Sequence, residues 1–245
     1  MIDLLYVSYN RLELTRESFA ALIANTDWDQ VATLFIADDG SEDGTREHLA
    51  IESEILRDAT NVVMNERPFG GPVAAMNWYL DRPSEGVETF AKIDNDFVVC
   101  PGWLGDMLKV MTLNPGLDIL GFEPMQGHPT MPPFRREAIA AQHIGGKGLI
   151  RLRSFSHCRP RPAGLNGYFG FTEFQTKHPQ ISKAWVSPDL PCFGLDQLPI
   201  AEWQYLAKQY VDWGWQRAWP PYHEKATDYW QWWLDERSEV QENVQ

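Results

Sequence analysis

The sequence predicts an α/β fold with a mostly parallel sheet covered by helices on both faces. Two observations carry this. Short apolar runs alternate with segments of helical periodicity over the first half of the chain, and a polar cluster follows each apolar run. Strands that alternate with helices need crossover connections, which run neighbouring strands parallel and bury both faces. Residues 4–7 (Leu-Leu-Tyr-Val) read as the first strand, and Phe19, Leu22 and Ile23 mark one helix face at i, i+3, i+4 spacing. Residues 33–37 are the second strand, followed from Thr45 by a polar helix to about Leu56. Residues 61–64 are the third, with Val73, Met76 and Leu80 on the face of its helix. Residues 90–93 are the fourth; Pro101 then stands where a first helical turn tolerates proline, ahead of Leu104, Met107, Leu108 and Met111. Residues 117–122 are the fifth strand.

After Glu123 the pattern turns to Gly, Pro and aromatic residues with weak periodicity, and an irregular half is expected over 124–235. The expectation is one domain over 1–235, made of the halves 1–123 and 124–235, with 236–245 as a flexible tail. At 245 residues the chain is long enough for one sizeable core. No apolar run approaches the roughly 18 residues that a spanning helix needs. The N-terminus enters an apolar run without a basic leader, and Cys100, Cys158 and Cys192 form no Cys-x-x-Cys pair, so a reducing cytoplasm is expected.

The formal net charge of −13 argues against non-specific attraction to nucleic acid. The charge is segregated: residues 124–172 hold seven bases (Arg135, Arg136, Lys147, Arg151, Arg153, Arg159, Arg161) against Glu137, a local +6. These bases can assist phosphates, meet an anionic acceptor, or simply form a solvated face.

In parallel sheets, ligands bind beyond the carboxyl ends of the strands. Those positions hold Ser8-Tyr9-Asn10-Arg11, Asp38-Asp39-Gly40-Ser41, Asn65-Glu66-Arg67 and Asp94-Asn95-Asp96, all expected on one edge. An Asp-x-Asp tripeptide is weak by itself, as Asp27-Trp28-Asp29 illustrates. Position distinguishes Asp94 and Asp96: at the end of a buried strand two carboxylates repel unless a cation shares them. Mn²⁺ or Mg²⁺ is the expected cofactor, since hard ions take such oxygens and complete their shell with phosphate. A carboxylate at Asp38 or Asp39 could accept from a base N–H or ribose hydroxyl; the same segment also reads as a turn with a helix N-cap at Thr45.

Four segments follow in the order and spacing of family 2 glycosyltransferases of the GT-A fold, which the chain resembles over about residues 3–115. They are Val7-Ser8-Tyr9-Asn10-Arg11, Ala37-Asp38-Asp39-Gly40-Ser41 to Thr45, Gly70-Gly71-Pro72-Val73-Ala74-Ala75-Met76-Asn77, and Ile93-Asp94-Asn95-Asp96. The resemblance implies a GT-A-like, Rossmann-type sheet and transfer of a sugar, with inversion, from a nucleoside diphosphate donor, most commonly a uridine diphosphate sugar. It implies that Val7, Tyr9 and Asp39 contact the nucleoside, that Asp94 lies near ribose and sugar, and that Asp96 ligates the metal. Ser8, Asn10, Asp38, Pro72 and Asn95 complete the expected nucleotide-binding set.

Family members commonly carry a strand ending in an acidic base that opens a helix, and Cys192-Phe193-Gly194-Leu195-Asp196 is similar. The usual Glu-Asp pair is Leu195-Asp196 here, so the role of general base falls on Asp196 alone; its alternative is a helix N-cap. His223 stands where many relatives place a metal ligand, with a structural histidine as the alternative. Seven of the eleven tryptophans lie in the last 45 residues, and Trp215 and Trp219, near His223, are expected to wall the sugar or acceptor site.

No G-x-G-x-x-G follows the first strand and no G-x-x-x-x-G-K-[ST] occurs, which disfavours dehydrogenases and P-loop enzymes; a sugar nucleotidyltransferase, which would carry a glycine-rich loop after strand one, is a lesser alternative. A non-catalytic carbohydrate- or nucleotide-binding module on the same fold is the rival from a different class. The expected acceptor is a glycan, a modified nucleobase or a protein hydroxyl.

Overall fold

A computed structural model describes residues 1–99, 101–122, 138–141, 144–161, 170–186 and 193–194. Its main sheet begins with four parallel strands: β1 (Ile2–Ser8), β2 (Val31–Asp38), β3 (Asn61–Met64) and β4 (Thr89–Asp94). Between them run α1 (Leu12–Asn25), α2 (Thr45–Glu52) and α3 (Pro72–Leu80). After the short β5 (Phe97–Val98) come α4 (Trp103–Leu113) and β6 (Ile119–Phe122). The later chain adds β7 (Ala138–Ala140), β8 (Gly148–Arg151), α5 (Gly170–Lys177), β9 (Lys183–Val186) and β10 (Phe193–Gly194).

Strand periodicity of two divides the core into two layers. Leu4 and Tyr6 of β1 pack with Phe19 and Leu22 of α1 and Trp103 and Met107 of α4. Leu5 and Val7 face the other side, against Val73, Met76 and Tyr79 of α3 and Phe171 and Phe174 of α5. A one-residue slip of β1 would exchange these two sets, so each layer holds the register, and with it the polar residues that follow the strand. Both faces are helix-covered, as the sequence pattern predicts.

The strand order is β3-β2-β1-β4-β8-β6-β9-β7. The fifth apolar run, β6, therefore does not lie beside β4. The short β8 inserts antiparallel to both, while β9 pairs parallel with β6 and β7 antiparallel with β9. The sheet is mixed, and residues after 123 supply three of its strands. The insertion depends on glycine: Gly121 and Gly148 are paired residues, and a Cβ on Gly148 (φ 140°) would lie 2.2 Å from the Leu120 carbonyl oxygen.

Two expectations need correction. The helix from Thr45 stops at Glu52 and tightens into a 3₁₀ turn at Ser53–Leu56, and its N-cap is Gly44 at φ 91° rather than Thr45. Pro101 precedes α4, whose N-cap is Gly102 at φ 75°. Both caps place glycine where a side chain would be strained.

Candidate active site

The four parallel strands deliver their following residues to one sheet edge, where three loops are tied together. Ser8 Oγ donates to Asp38 Oδ2 at 2.9 Å, and the Asp38 carboxylate also accepts from the Gly40 and Ser41 N–H groups at 3.1 and 3.0 Å and from Ser41 Oγ at 2.5 Å. Fully buried and so engaged, Asp38 shapes the loop after β2. Its neighbour Asp39 turns toward α3: Oδ1 accepts from the Phe69 and Gly70 N–H groups at 2.5 and 2.7 Å, and Oδ2 from Gly71 N–H at 2.7 Å. Pro72 follows at the first helical position, where its missing N–H is no loss.

Asn95 is 6% exposed and acts as a staple. Its Nδ2 donates to the Asn10 carbonyl and to Thr15 Oγ1, both at 2.8 Å, and its backbone N–H donates to the Val7 carbonyl at 3.0 Å. It thereby joins the turn after β4 to the turn after β1. Asn10 and Arg11 are consecutive non-glycine residues at φ 49° and 65°. Such conformations are unfavourable by about 1–3 kcal/mol each and persist only where surroundings impose them. Here Asn10 N–H donates to Ser41 Oγ at 2.7 Å, Asn10 Oδ1 accepts from Glu42 N–H at 2.9 Å, and Leu12 N–H donates to Asp43 Oδ2 at 2.9 Å. Partial burial raises the Asp43 carboxyl, but hydrogen bonds from Thr45 and Leu12 outweigh it and hold the group below its ordinary range.

The strained turn aims Arg11 at the carboxylate pair. Arg11 Nη1 lies 2.9 Å from Asp96 Oδ2, and Lys147 Nζ lies 3.0 Å from Asp96 Oδ1. Lys92, on β4 and 2% exposed, ion-pairs with Asp94 Oδ1. A Cβ on Gly146 would stand 3.1 Å from Lys92 Nζ and 3.8 Å from Asp94 Oδ2, so both carboxylates reach the 146–147 segment that enters β8. Three protein cations thus meet two carboxylates. Below them, buried Tyr6 OH donates to Ser18 Oγ at 3.1 Å, and Ser18 donates to the Phe97 carbonyl at 2.7 Å. Burial pushes the Tyr6 phenol well above its ordinary range, so it stays a neutral donor.

Carboxylate oxygens are what a hard cation takes, but here each of the two carboxylates is already paired with lysine or arginine. No group of three or more His, Cys, Asp or Glu that could hold a metal ion gathers among the described residues. Asp196, His223, Trp215 and Trp219 lie outside the described residues. The strand leading to Asp196 is described, and Gly194 of β10 pairs with Phe97 of β5, the residue after Asp96. Val7 is buried, while Tyr9, Asn10 and Pro72 are partly exposed at the same edge. Lys92 is absent from the candidates drawn from the sequence; its signal is a lysine inside an apolar strand run. Lys147 appears there only as one of seven bases, because its place depends on how β8 pairs.

The chain matches the profile described as Glycosyl transferase family 2 over residues 4–141, more than half its length. The chain belongs to that family. Among solved structures, this family 2 member resembles residues 1–349 of S. aureus TarS in complex with UDP-GlcNAc, with 15% identity, a TM-score of 0.56, and coverage of 76% of this chain and 56% of that one. It also resembles glucosyl-3-phosphoglycerate synthase from Mycobacterium tuberculosis in complex with Mn²⁺, UDP and phosphoglyceric acid (17%, TM-score 0.54, 76% and 68% coverage). The mannosyltransferase PcManGT from Pyrobaculum calidifontis, in complex with GDP-Man and Mn²⁺, is similar to the same degree (14%, TM-score 0.57, 75% and 56% coverage). Likeness at such identities establishes the GT-A fold. In a second crystal structure of TarS 1–349 the match spans 61% of that chain's length. Comparison with curated protein sequences yields no match. Among the described residues, no helix of this family 2 chain is long and apolar enough to cross a membrane.

Proposed function

We propose that the chain transfers a sugar, with inversion, from a nucleoside diphosphate donor to an acceptor hydroxyl in a metal-dependent reaction. The observation that carries this reading is the delivery of Asp94 and Asp96 by β4 to the carboxyl edge of four parallel strands, in a member of family 2. The nucleoside lies over Val7, Tyr9 and Pro72, with Asp39 accepting from the base and Asp94 near ribose and sugar. Uridine is the proposed base, supported by the UDP-GlcNAc complex of TarS and the UDP complex of the mycobacterial synthase.

Asp96, with His223, would hold a divalent cation, which when bound would offset the negative charge that the diphosphate leaving group gathers. Asp196 accepts the proton of the acceptor hydroxyl, which attacks in line from the opposite side and so inverts the anomeric carbon. The β10–β5 ladder supports this placement: two residues of chain, at most about 7 Å, separate Asp196 from Gly194 beside Phe97. Trp215 and Trp219 offer flat faces for the sugar or acceptor.

The test is a thermal-shift series with UDP, GDP, ADP, CDP and TDP, with and without Mn²⁺. One diphosphate should raise the melting temperature in a metal-dependent way, the rise corresponding to about 2.7 kcal/mol at a hundredfold excess over Kd. Donor turnover by the wild type should vanish in Asp96→Ala and fall at least a hundredfold in Asp196→Asn. Metal-independent sugar binding without turnover would overturn the proposal in favour of a binding module.

A further inference from the structure

Lys92 is the one cation among the described residues that the fold buries, at 2% exposure. Side chains two residues apart on a strand share a face, so Lys92 and Asp94 stand on the side of β4 where Phe90 packs against Tyr79 of α3. Across the sheet Lys92 is flanked by Leu5 of β1, which is fully buried, and by Gly148 of β8, which has no side chain. Neither offers a counter-charge. The ammonium finds one along its own strand, at the carboxyl edge, in Asp94 Oδ1. A buried cation that lost such a pair would have neither water nor an opposite charge, so this pair holds far more firmly than a surface one.

Asp94 stands in a different environment. Its side chain is 25% exposed, and its Oδ2 accepts no hydrogen bond from a described residue. The chain passing beside it has glycine at 146: a Cβ there would stand 3.8 Å from Oδ2 and 3.1 Å from Lys92 Nζ. One oxygen is thus held from the core, and the other is free at the edge where the donor is proposed to lie.

We propose that Lys92 is a positioning residue for the donor sugar: it fixes the Asp94 carboxylate in one orientation, so that Oδ2 accepts a hydroxyl of the sugar, and Gly146 keeps the room that hydroxyl needs. This rests on the nucleotide-sugar reading given above. A carboxylate is an acceptor only; it selects hydroxyl groups and repels phosphate oxygens, so the contact discriminates among sugars and not among diphosphates. Fixing it beforehand removes the rotamer entropy that binding would otherwise cost. Lysine suits the task because a compact ammonium on a long apolar stem can reach from the core to the edge.

The experiment measures, by isothermal titration of the full chain in the presence of Mn²⁺, the binding of UDP and GDP and of UDP-glucose, UDP-galactose, UDP-GlcNAc and GDP-mannose. The proteins are wild type, Lys92→Met, Asp94→Asn, the double variant, Gly146→Ala and, as a control, Gly145→Ala, each first checked for a cooperative melt. For the nucleotide sugar that the wild type binds best, Lys92→Met should raise Kd about tenfold while the matching diphosphate stays within about twofold. The double variant should bind that nucleotide sugar no more weakly than Asp94→Asn, because Lys92 acts through Asp94. Gly146→Ala, which crowds the ammonium without removing its charge, should raise the same Kd about threefold, and Gly145→Ala, whose Cβ meets nothing within 4 Å, should leave it unchanged. Equal weakening of diphosphate and nucleotide sugar, or additive losses in the double variant, overturns the role of Lys92 alone. If Lys92→Met does not melt cooperatively, Gly146→Ala decides, and an unchanged Kd there overturns it. Absence of wild-type binding to all four nucleotide sugars overturns the nucleotide-sugar reading and the role of Lys92 with it.

Discussion

Lys92 shows how much one residue decides at this site. An ammonium at 2% exposure is tolerated only beside a counter-charge, and Asp94 supplies it. Asp94→Asn is expected to lower the unfolding free energy by about 3 kcal/mol, because the lysine is left charged and unpaired. In a Lys92→Met background the same substitution should lower it by less than about 1 kcal/mol. Urea denaturation of the four proteins checks this, and equal losses in both backgrounds would mean that the two groups are uncoupled. Residue chemistry also separates the tandem acids. Asp38 is engaged inside its own loop and Asp39 caps the segment leading into α3. Asp38 meets Gly40 and Ser41 of its own loop and Ser8 of β1, whereas the partners of Asp39 all lie 30 to 32 residues away, so the sequence around the pair does not tell which one turns inward.

At the scale of elements, the insertion of β8 brings the basic segment to the carboxylates. Because β8 runs antiparallel, its first residue Gly148 pairs with Lys92, and Lys147 arrives at the edge where β4 ends. The close approach makes Gly148 a sensitive point. Gly148→Ala should destabilise by about 3 kcal/mol or more, through a positive φ and a clash with the Leu120 carbonyl. Gly145→Ala, where an added Cβ meets nothing within 4 Å, should stay within about 0.5 kcal/mol. Chemical denaturation of both variants checks the contrast. The first four strands and the faces of their helices are legible in the sequence because their apolar runs are long and periodic. β8 and α5 are not. Leu149-Ile150 is too short a run to stand out, and α5 is buried on Phe171 and Phe174 only because Phe155 and the α3 layer are there to meet them.

For the whole molecule, the net charge of −13 coexists with a local cluster of Arg11, Lys92 and Lys147 around two carboxylates. On the proposed reading such a cluster would serve a small anion rather than a polyanion, whose phosphates would face the acidic remainder. Random duplex DNA should therefore show no mobility shift at micromolar protein and about 0.15 M salt; a stable shift would locate an acceptor on nucleic acid instead. The sequence by itself determined the alternation of strands and helices, the edge on which the polar loops gather, the Asp94-x-Asp96 pair and the family resemblance, because each is written in local periodicity or in a short motif. Only the tertiary structure decided the strand order, the inward and outward turns of Asp38 and Asp39, and the pairing of Asp94 and Asp96 with Lys92, Arg11 and Lys147. Those depend on contacts between residues up to 85 positions apart, as between Arg11 and Asp96, and such contacts leave no mark on the sequence around either partner.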